Sequence, residues 1–146
     1  MKIYVAGGSS ELELVAGYMA KLRELGHIIT HDWVATVRST GDANPRTATQ
    51  KQRLRWAGDD LRGIDAARIV WVILPITRPS FGCAFEAGYA VGQGLTDVIM
   101  SGDWRASIFS SQVEARFNEH DHALEWLRLY GTPGSWEDEM DALEAT

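Results

Sequence analysis

The sequence predicts an α/β fold, a three-layer sandwich with a parallel sheet of about five strands between two helical layers. Two observations predict it. Short apolar runs alternate with segments of helical period, the pattern of strands joined by crossover helices. The run 69–74, Ile-Val-Trp-Val-Ile-Leu, has no polar alternation, as a central parallel strand covered on both faces requires.

The elements follow in order. Lys2 to Ala6 is a β-rich run ending at Gly7-Gly8-Ser9-Ser10. Residues 11–25 carry Leu12, Val15, Met19, Leu22 and Leu25 at helical spacing, with Ser9 or Ser10 as N-cap and Gly26 as the stop. Residues 27–31 read as a second strand with Asp32 and Trp33 at its end. Residues 34–49 are polar, include Gly41, Asp42, Asn44 and Pro45, and are expected to form a mobile loop. A second helix spans 50–67, weakened by Gly58 and Gly63. After the central strand a polar loop carries Pro75, Thr77, Arg78, Pro79 and Ser80, and a helix over 82–93 stops at Gly94. Residues 97–100 form a fourth strand, 106–109 a short fifth, and 111–130 a helix broken near His120. Residues 1–130 are thus expected to form one catalytic domain, and 131–146 an acidic tail that docks loosely or serves an oligomer contact. A flavodoxin-like (Rossmann-like) strand order, 2-1-3-4-5, would place the ligand crevice where the loops after the first and third strands diverge.

Composition narrows the function classes. The 146 residues carry a net charge of −6 and form no basic stripe, which argues against nucleic acid as partner. The single cysteine, Cys83, precludes an internal disulfide and fits a reducing compartment. No apolar run approaches the roughly 18 residues of a membrane span. The chain enters a strand-like segment at once, which argues against a signal peptide. A cytoplasmic protein without a membrane partner is expected.

The chemistry concentrates at Gly82-Cys83-Ala84-Phe85-Glu86-Ala87-Gly88-Tyr89-Ala90. Glu86 lies on the opening turns of a helix that follows the central strand, among small and apolar neighbours. A carboxylate there gains about 0.3–1 kcal/mol from the helix dipole, which is one explanation of it; the other is a functional acid in the crevice. Asp60 is a candidate second carboxylate, because the end of a helix disfavours acids; Asp59 and Asp65 are explained by a solvated face. Gly7, Gly8, Ser9 and Ser10 open a helix N-terminus, where backbone donors suit an anion, although tight turns often look the same. Trp33 could stack on a planar ligand or pack in the core, with His31 and Asp32 beside it. Cys83 reads as a packing residue, and Arg78 either binds an anion or is exposed. His120 and His122 do not share a helix face, so no metal site is expected there. There is no G-x-G-x-x-G or Walker pattern.

In order along the chain, Lys2-Ile3-Tyr4-Val5-Ala6-Gly7, Asp60-Leu61-x-x-Ile64-x-x-Ala67 and Gly82-x-x-x-Glu86-x-Gly88-Tyr89-Ala90 resemble the nucleoside 2-deoxyribosyltransferase family and the related 2′-deoxynucleoside 5′-monophosphate N-glycosidases. The resemblance implies an enzyme that cleaves the N-glycosidic bond of a deoxynucleoside without a metal or organic cofactor. It implies Glu86 as nucleophile, Asp60 as the acid that assists departure of the base, and Tyr4 as a tyrosine beside the nucleophile. Transferases of the family commonly carry an aspartate six residues before the nucleophile, where this chain has Ser80. A serine there is similar to the monophosphate N-glycosidases, in which it donates to the 5′-phosphate; Ser9, Ser10 and Arg78 fit the same role. The family's usual aspartate at the start of the third strand is Arg68 here, and the acidic tail does not match the transferases' C-terminus. The resemblance also implies a homo-oligomer, with Ser110 or Ser111 as a residue lent to a neighbouring subunit; Gly7, Gly8, Trp33 and Gly82 are expected to help line the substrate site. The rival readings are a glycohydrolase of NAD or a related nucleotide, a nucleotide-binding sensor without catalysis, and a partner-docking module acting through the tail.

Overall fold

A computed structural model describes residues 1–41, 44 and 46–130. Five strands, β1 (Lys2–Ala6), β2 (Ile28–Ile29), β3 (Ile69–Ile73), β4 (Asp97–Ser101) and β5 (Ala115–Phe117), form one sheet in the order β2-β1-β3-β4-β5. Every pairing is parallel. The helices are α1 (Leu12–Glu24), α2 (Trp33–Thr40), α3 (Gln50–Asp65), α4 (Phe81–Gln93) and α5 (His120–Leu129). This is the expected flavodoxin-like arrangement, with the order reversing between β1 and β3.

Strand alternation sorts the core into two layers. Ile3 and Val5 of β1 and Ile69, Trp71 and Ile73 of β3 face the layer filled by Val15, Met19 and Leu22 of α1 and by Ala123, Trp126 and Leu127 of α5. Tyr4, Ala6, Val70 and Val72 face the opposite layer, against Ile64 of α3 and Cys83, Ala87 and Ala90 of α4. The buried positions of α4 recur at i, i+4 and i+7, so a single narrow stripe meets the sheet. α4 ends where expected, at Gly94 in the left-handed region (φ 65°). A reciprocal capping box, Thr49 with Gln52, starts α3.

Four local expectations need correction. Residues 33–40 are the helix α2 rather than loop, because Asp32 caps it by accepting from the Ala35 N–H at 2.9 Å and Val34 is buried. Asp32 and Trp33 therefore open a helix rather than close a strand; residues 42, 43 and 45 of the expected loop lie outside those described. The fifth strand is 115–117, not 106–109: Ile108 and Phe109 are exposed in a 3-10 segment, Ile108–Gln112, whereas Ala115 and Phe117 point into the core. α5 accordingly begins at His120, not near residue 111. Neither Ser9 nor Ser10 caps α1; they form a 3-10 turn, Ser9–Glu11, ahead of it. The acidic tail, 131–146, lies outside the described residues. Among the described residues no helix is long and apolar enough to cross a membrane.

Candidate active site

β1 places Tyr4 at the floor of the site. Its ring is fully buried in the α3/α4 layer, and its hydroxyl donates to Glu86 Oε1 at 2.9 Å. Burial, then the charges of Glu86 and Asp60, push the phenol pKa far above its ordinary value, so Tyr4 is a donor and never a base. α4 brings Glu86 from the other side. Burial first, and the neighbouring Asp60 second, raise its carboxyl from 4.5 to about 8, while the Tyr4 hydrogen bond works in the opposite direction.

Asp60 comes from the late turns of α3. Burial raises its pKa, and His31 opposes the rise; the His31 Nε2 lies 3.5 Å from Asp60 Oδ1. α3 approaches this closely only because residue 63 is glycine. A Cβ there would come within 2.7 Å of His31 Cβ and 2.9 Å of Tyr4 Cδ2. Tyr4, His31, Asp60 and Glu86 thus come from four separate segments and form one linked group: Tyr4 interacts with Glu86 and Asp60, and His31 lies beside Asp60. Two carboxyl groups that disfavour each other's ionisation retain one proton between them near neutrality, which is the state that acid–nucleophile chemistry needs.

The remaining candidates surround this centre. A Cβ at Gly7 would collide with Val15, and one at Gly8 would come within 2.9 Å of Pro75 Cγ, so both glycines serve close packing at the crevice. Ser9 and Ser10 are exposed, and the Ser10 and Thr77 hydroxyls lie 3.4 Å apart. Trp33 donates its indole N–H to the Val5 carbonyl at 2.9 Å and is half-buried. Ser80 caps α4, its hydroxyl oxygen accepting the Cys83 N–H at 3.3 Å, which leaves its proton to donate elsewhere. Gly82 is exposed on the first turn of α4, and Arg78 is exposed on the loop before it. Burial pushes the Cys83 thiol up to about 11, so it is not a nucleophile.

Other candidates are held apart from the centre. Asp59 pairs with Arg62, Asp65 accepts from the Tyr89 hydroxyl at 2.8 Å, and Arg68 pairs with Asp97 at 2.8 Å. The Ser110 and Ser111 hydroxyls donate to the carbonyls of Ser107 and Ile108 in their own 3-10 segment. No cluster of three potential metal ligands occurs among the described residues.

Sequence reasoning passed over Glu11. Its Oε1 accepts the Ile76 N–H at 3.0 Å, tying the loop after β1 to the loop after β3, and its Oε2 is buried with no partner among the described residues. The available signal was an acid placed directly after a Gly-Gly-Ser-Ser turn.

The sequence profile of the family described as nucleoside 2-deoxyribosyltransferase matches residues 3–125. The chain belongs to the nucleoside 2-deoxyribosyltransferase family. Solved structures agree on the fold. A 2-deoxyribosyltransferase from Bacillus psychrosaccharolyticus superposes with a TM-score of 0.67 at 20% identity, covering 90% of this chain and 93% of that one. The CMP N-glycosidase BcmB of Clostridium botulinum gives 0.55 at 15% identity, covering 89% and 99%. A conserved protein from Enterococcus faecalis gives 0.52 at 19%, covering 86% and 95%. A search of curated proteins by sequence returned no match. Family and fold together support deoxyribosyl transfer or N-glycoside hydrolysis by this member of the nucleoside 2-deoxyribosyltransferase family.

Proposed function

We propose that this family member cleaves the N-glycosidic bond of a 2′-deoxynucleoside 5′-monophosphate by a double displacement through Glu86. The observation that carries the reading is the half-buried Glu86 held by the Tyr4 hydroxyl at 2.9 Å, with Asp60 as the charge that raises its carboxyl further. In the first step a Glu86 oxygen attacks the anomeric carbon and forms a glycosyl ester. The carbon–nitrogen bond breaks, its electron pair leaves with the base, and Asp60 supplies the proton the base takes up. Asp60, now ionised, removes a proton from water or from an incoming base as that nucleophile attacks the same carbon and frees Glu86. His31, beside Asp60, steadies the ionised form that appears between the two steps. Tyr4 holds Glu86 in place and favours its ionised form at the moment of attack.

The preference for a phosphate rests on the loop before α4. Ser80 keeps a hydroxyl proton available and Arg78 is exposed two residues earlier. The phosphate is therefore received on the Ser80 side. The reading is tested by incubating the protein with deoxynucleosides and their 5′-monophosphates, with and without a second free base, and separating the products. Free base from monophosphates marks hydrolysis; a new nucleoside or nucleotide formed only with added base marks transfer. Asp60→Asn is expected to slow release of ordinary bases by about 10²–10⁴-fold while sparing substrates whose base departs without a proton. Equal slowing of both would remove Asp60 from the acid role.

A further inference from the structure

Beyond the crevice, the carboxyl edge of the sheet carries a second group of charged side chains. The chain leaves β4 through Gly102, whose N–H donates to the Phe117 carbonyl at 2.9 Å, so the loops after β4 and β5 are tied together. The 3-10 turn Trp104–Ala106 follows at once. Ala115 and Phe117 point into the core, which turns Arg116 between them to the opposite face of β5. Arg105 and Arg116 meet on the Trp104 ring, their guanidinium carbons 4.2 Å and 5.4 Å from its centroid.

The ring attracts both cations, but nothing in the group carries a negative charge. Arg23, Arg38, Arg55, Arg62, Arg68 and Arg128 each pair with a carboxylate, whereas Arg105 and Arg116 pair with none among the described residues. Arg105 donates to Asn118 Oδ1 at 2.7 Å and Arg116 to the Ser110 carbonyl at 3.2 Å, each bond using one N–H of a five-donor fork. The Trp104 indole N–H is buried and has no acceptor among the described residues. Guanidinium and indole groups donate and never accept, so the three cannot satisfy one another. A donor left buried in that state is costly until an acceptor arrives. The group is therefore rich in donors and positive charge and short of an anion, in a chain whose net charge is −6.

The number of donors selects the kind of anion. One fork saturates the two oxygens of a carboxylate. A phosphate with three terminal oxygens serves two forks and the indole N–H together. We propose that Trp104, Arg105 and Arg116 form a phosphate-binding site that takes inorganic phosphate or the terminal phosphate of a small ester. It shares no residue with the crevice, and it stands or falls independently of the reaction proposed there.

The test follows the indole N–H signals of the full nitrogen-15-labelled chain by NMR, with the Trp104 signal assigned by its loss in Trp104→Phe. Inorganic phosphate is titrated at constant ionic strength against sodium chloride. The Trp104 signal is expected to move and saturate with phosphate and with a ribonucleoside 5′-monophosphate, and to stay in place with chloride and with the unphosphorylated nucleoside. Equal affinities would identify the free anion as sufficient; tighter binding of the nucleotide would assign the site to phosphate esters. Arg105→Gln with Arg116→Gln removes both forks and is expected to weaken binding at least about 10-fold, while the remaining indole signals keep their positions and show the fold intact. Ser80→Ala should leave the titration unchanged, which separates this site from the phosphate position proposed in the crevice. A Trp104 signal that phosphate does not move, a titration that the double variant leaves intact, or one that Ser80→Ala abolishes overturns the proposal.

Discussion

Replacing Glu86 with glutamine is expected to abolish activity and yet to stabilise the protein, only on the alkaline side. The unfolded chain releases the Glu86 proton near 4.5, whereas the folded protein holds it to about 8. Across that window the folded state binds more protons than the unfolded one, so the contribution of Glu86 to stability is intact below the window and falls as pH rises through it. The interval corresponds to about 5 kcal/mol if position 86 titrated alone. Because Asp60 shares the proton, roughly 2–3 kcal/mol is expected to belong to Glu86 itself. Glutamine is neutral at every pH, close to isosteric, and its carbonyl still accepts from the Tyr4 hydroxyl. Urea unfolding of parent and variant at pH 5 and pH 9 reads the difference. At pH 5 the two should agree within about 1 kcal/mol, and at pH 9 the variant should be more stable by the larger margin of roughly 2–3 kcal/mol. A gap of equal size at both pH values, or a variant less stable at pH 9, would refute the argument, because Glu86 would then not be a carboxyl that burial keeps protonated.

The rate should follow a bell in pH, its alkaline limb near 8, where Glu86 releases the last proton the pair shares; Tyr4→Phe removes the hydrogen bond that lowers Glu86's pKa, so that limb should move upward while the maximum falls about 10-fold, and a limb that stays put counts against the Tyr4–Glu86 contact. Gly63→Ala drives a methyl group into Tyr4 and His31 and should cost about 1–3 kcal/mol in urea unfolding, with activity falling beyond what stability explains. Ser101→Ala leaves the buried Trp71 N–H, now bonded to Ser101 Oγ at 2.9 Å, without an acceptor; a loss of about 1–3 kcal/mol is expected, measured by the same unfolding, with the rate unchanged.

How far the fold was legible depended on how strongly each segment declared its period. β1, β3, α1 and α4 carried either unbroken apolar runs or four-residue spacing, and the glycines at 26 and 94 marked their ends. α2 and β5 were not legible because their signals are small. α2 is two turns long and buries only Val34, and its start is marked by a single capping aspartate. β5 is three residues long with a charged middle position, while the more apolar Ile108 and Phe109 nearby face outward. For the site, local sequence pointed to Glu86 and, more weakly, to Asp60, but it could not bring Tyr4 to both. That meeting depends on strand register and on the absence of a side chain at Gly63. His31 was noticed only as a neighbour of Trp33 near a strand end; its place beside Asp60 needed the spatial neighbour. The glycines at 7 and 8 admitted an anion-binding reading or an ordinary tight turn, and neither reading pointed to the close approach of Val15 and Pro75 that a side chain there would block.

The Tyr4–Glu86 contact also has a meaning in time. Its two residues are 82 positions apart, one on β1 and the other on the helix that follows β3. Closing so large a loop is entropically costly, and nothing local rewards it. The tyrosine therefore lacks this acceptor until β3 has paired with β1 and α4 has docked. If the proposed site is right, activity is expected to return late in refolding, and the first turnover by a refolding chain would time the closing of its sheet.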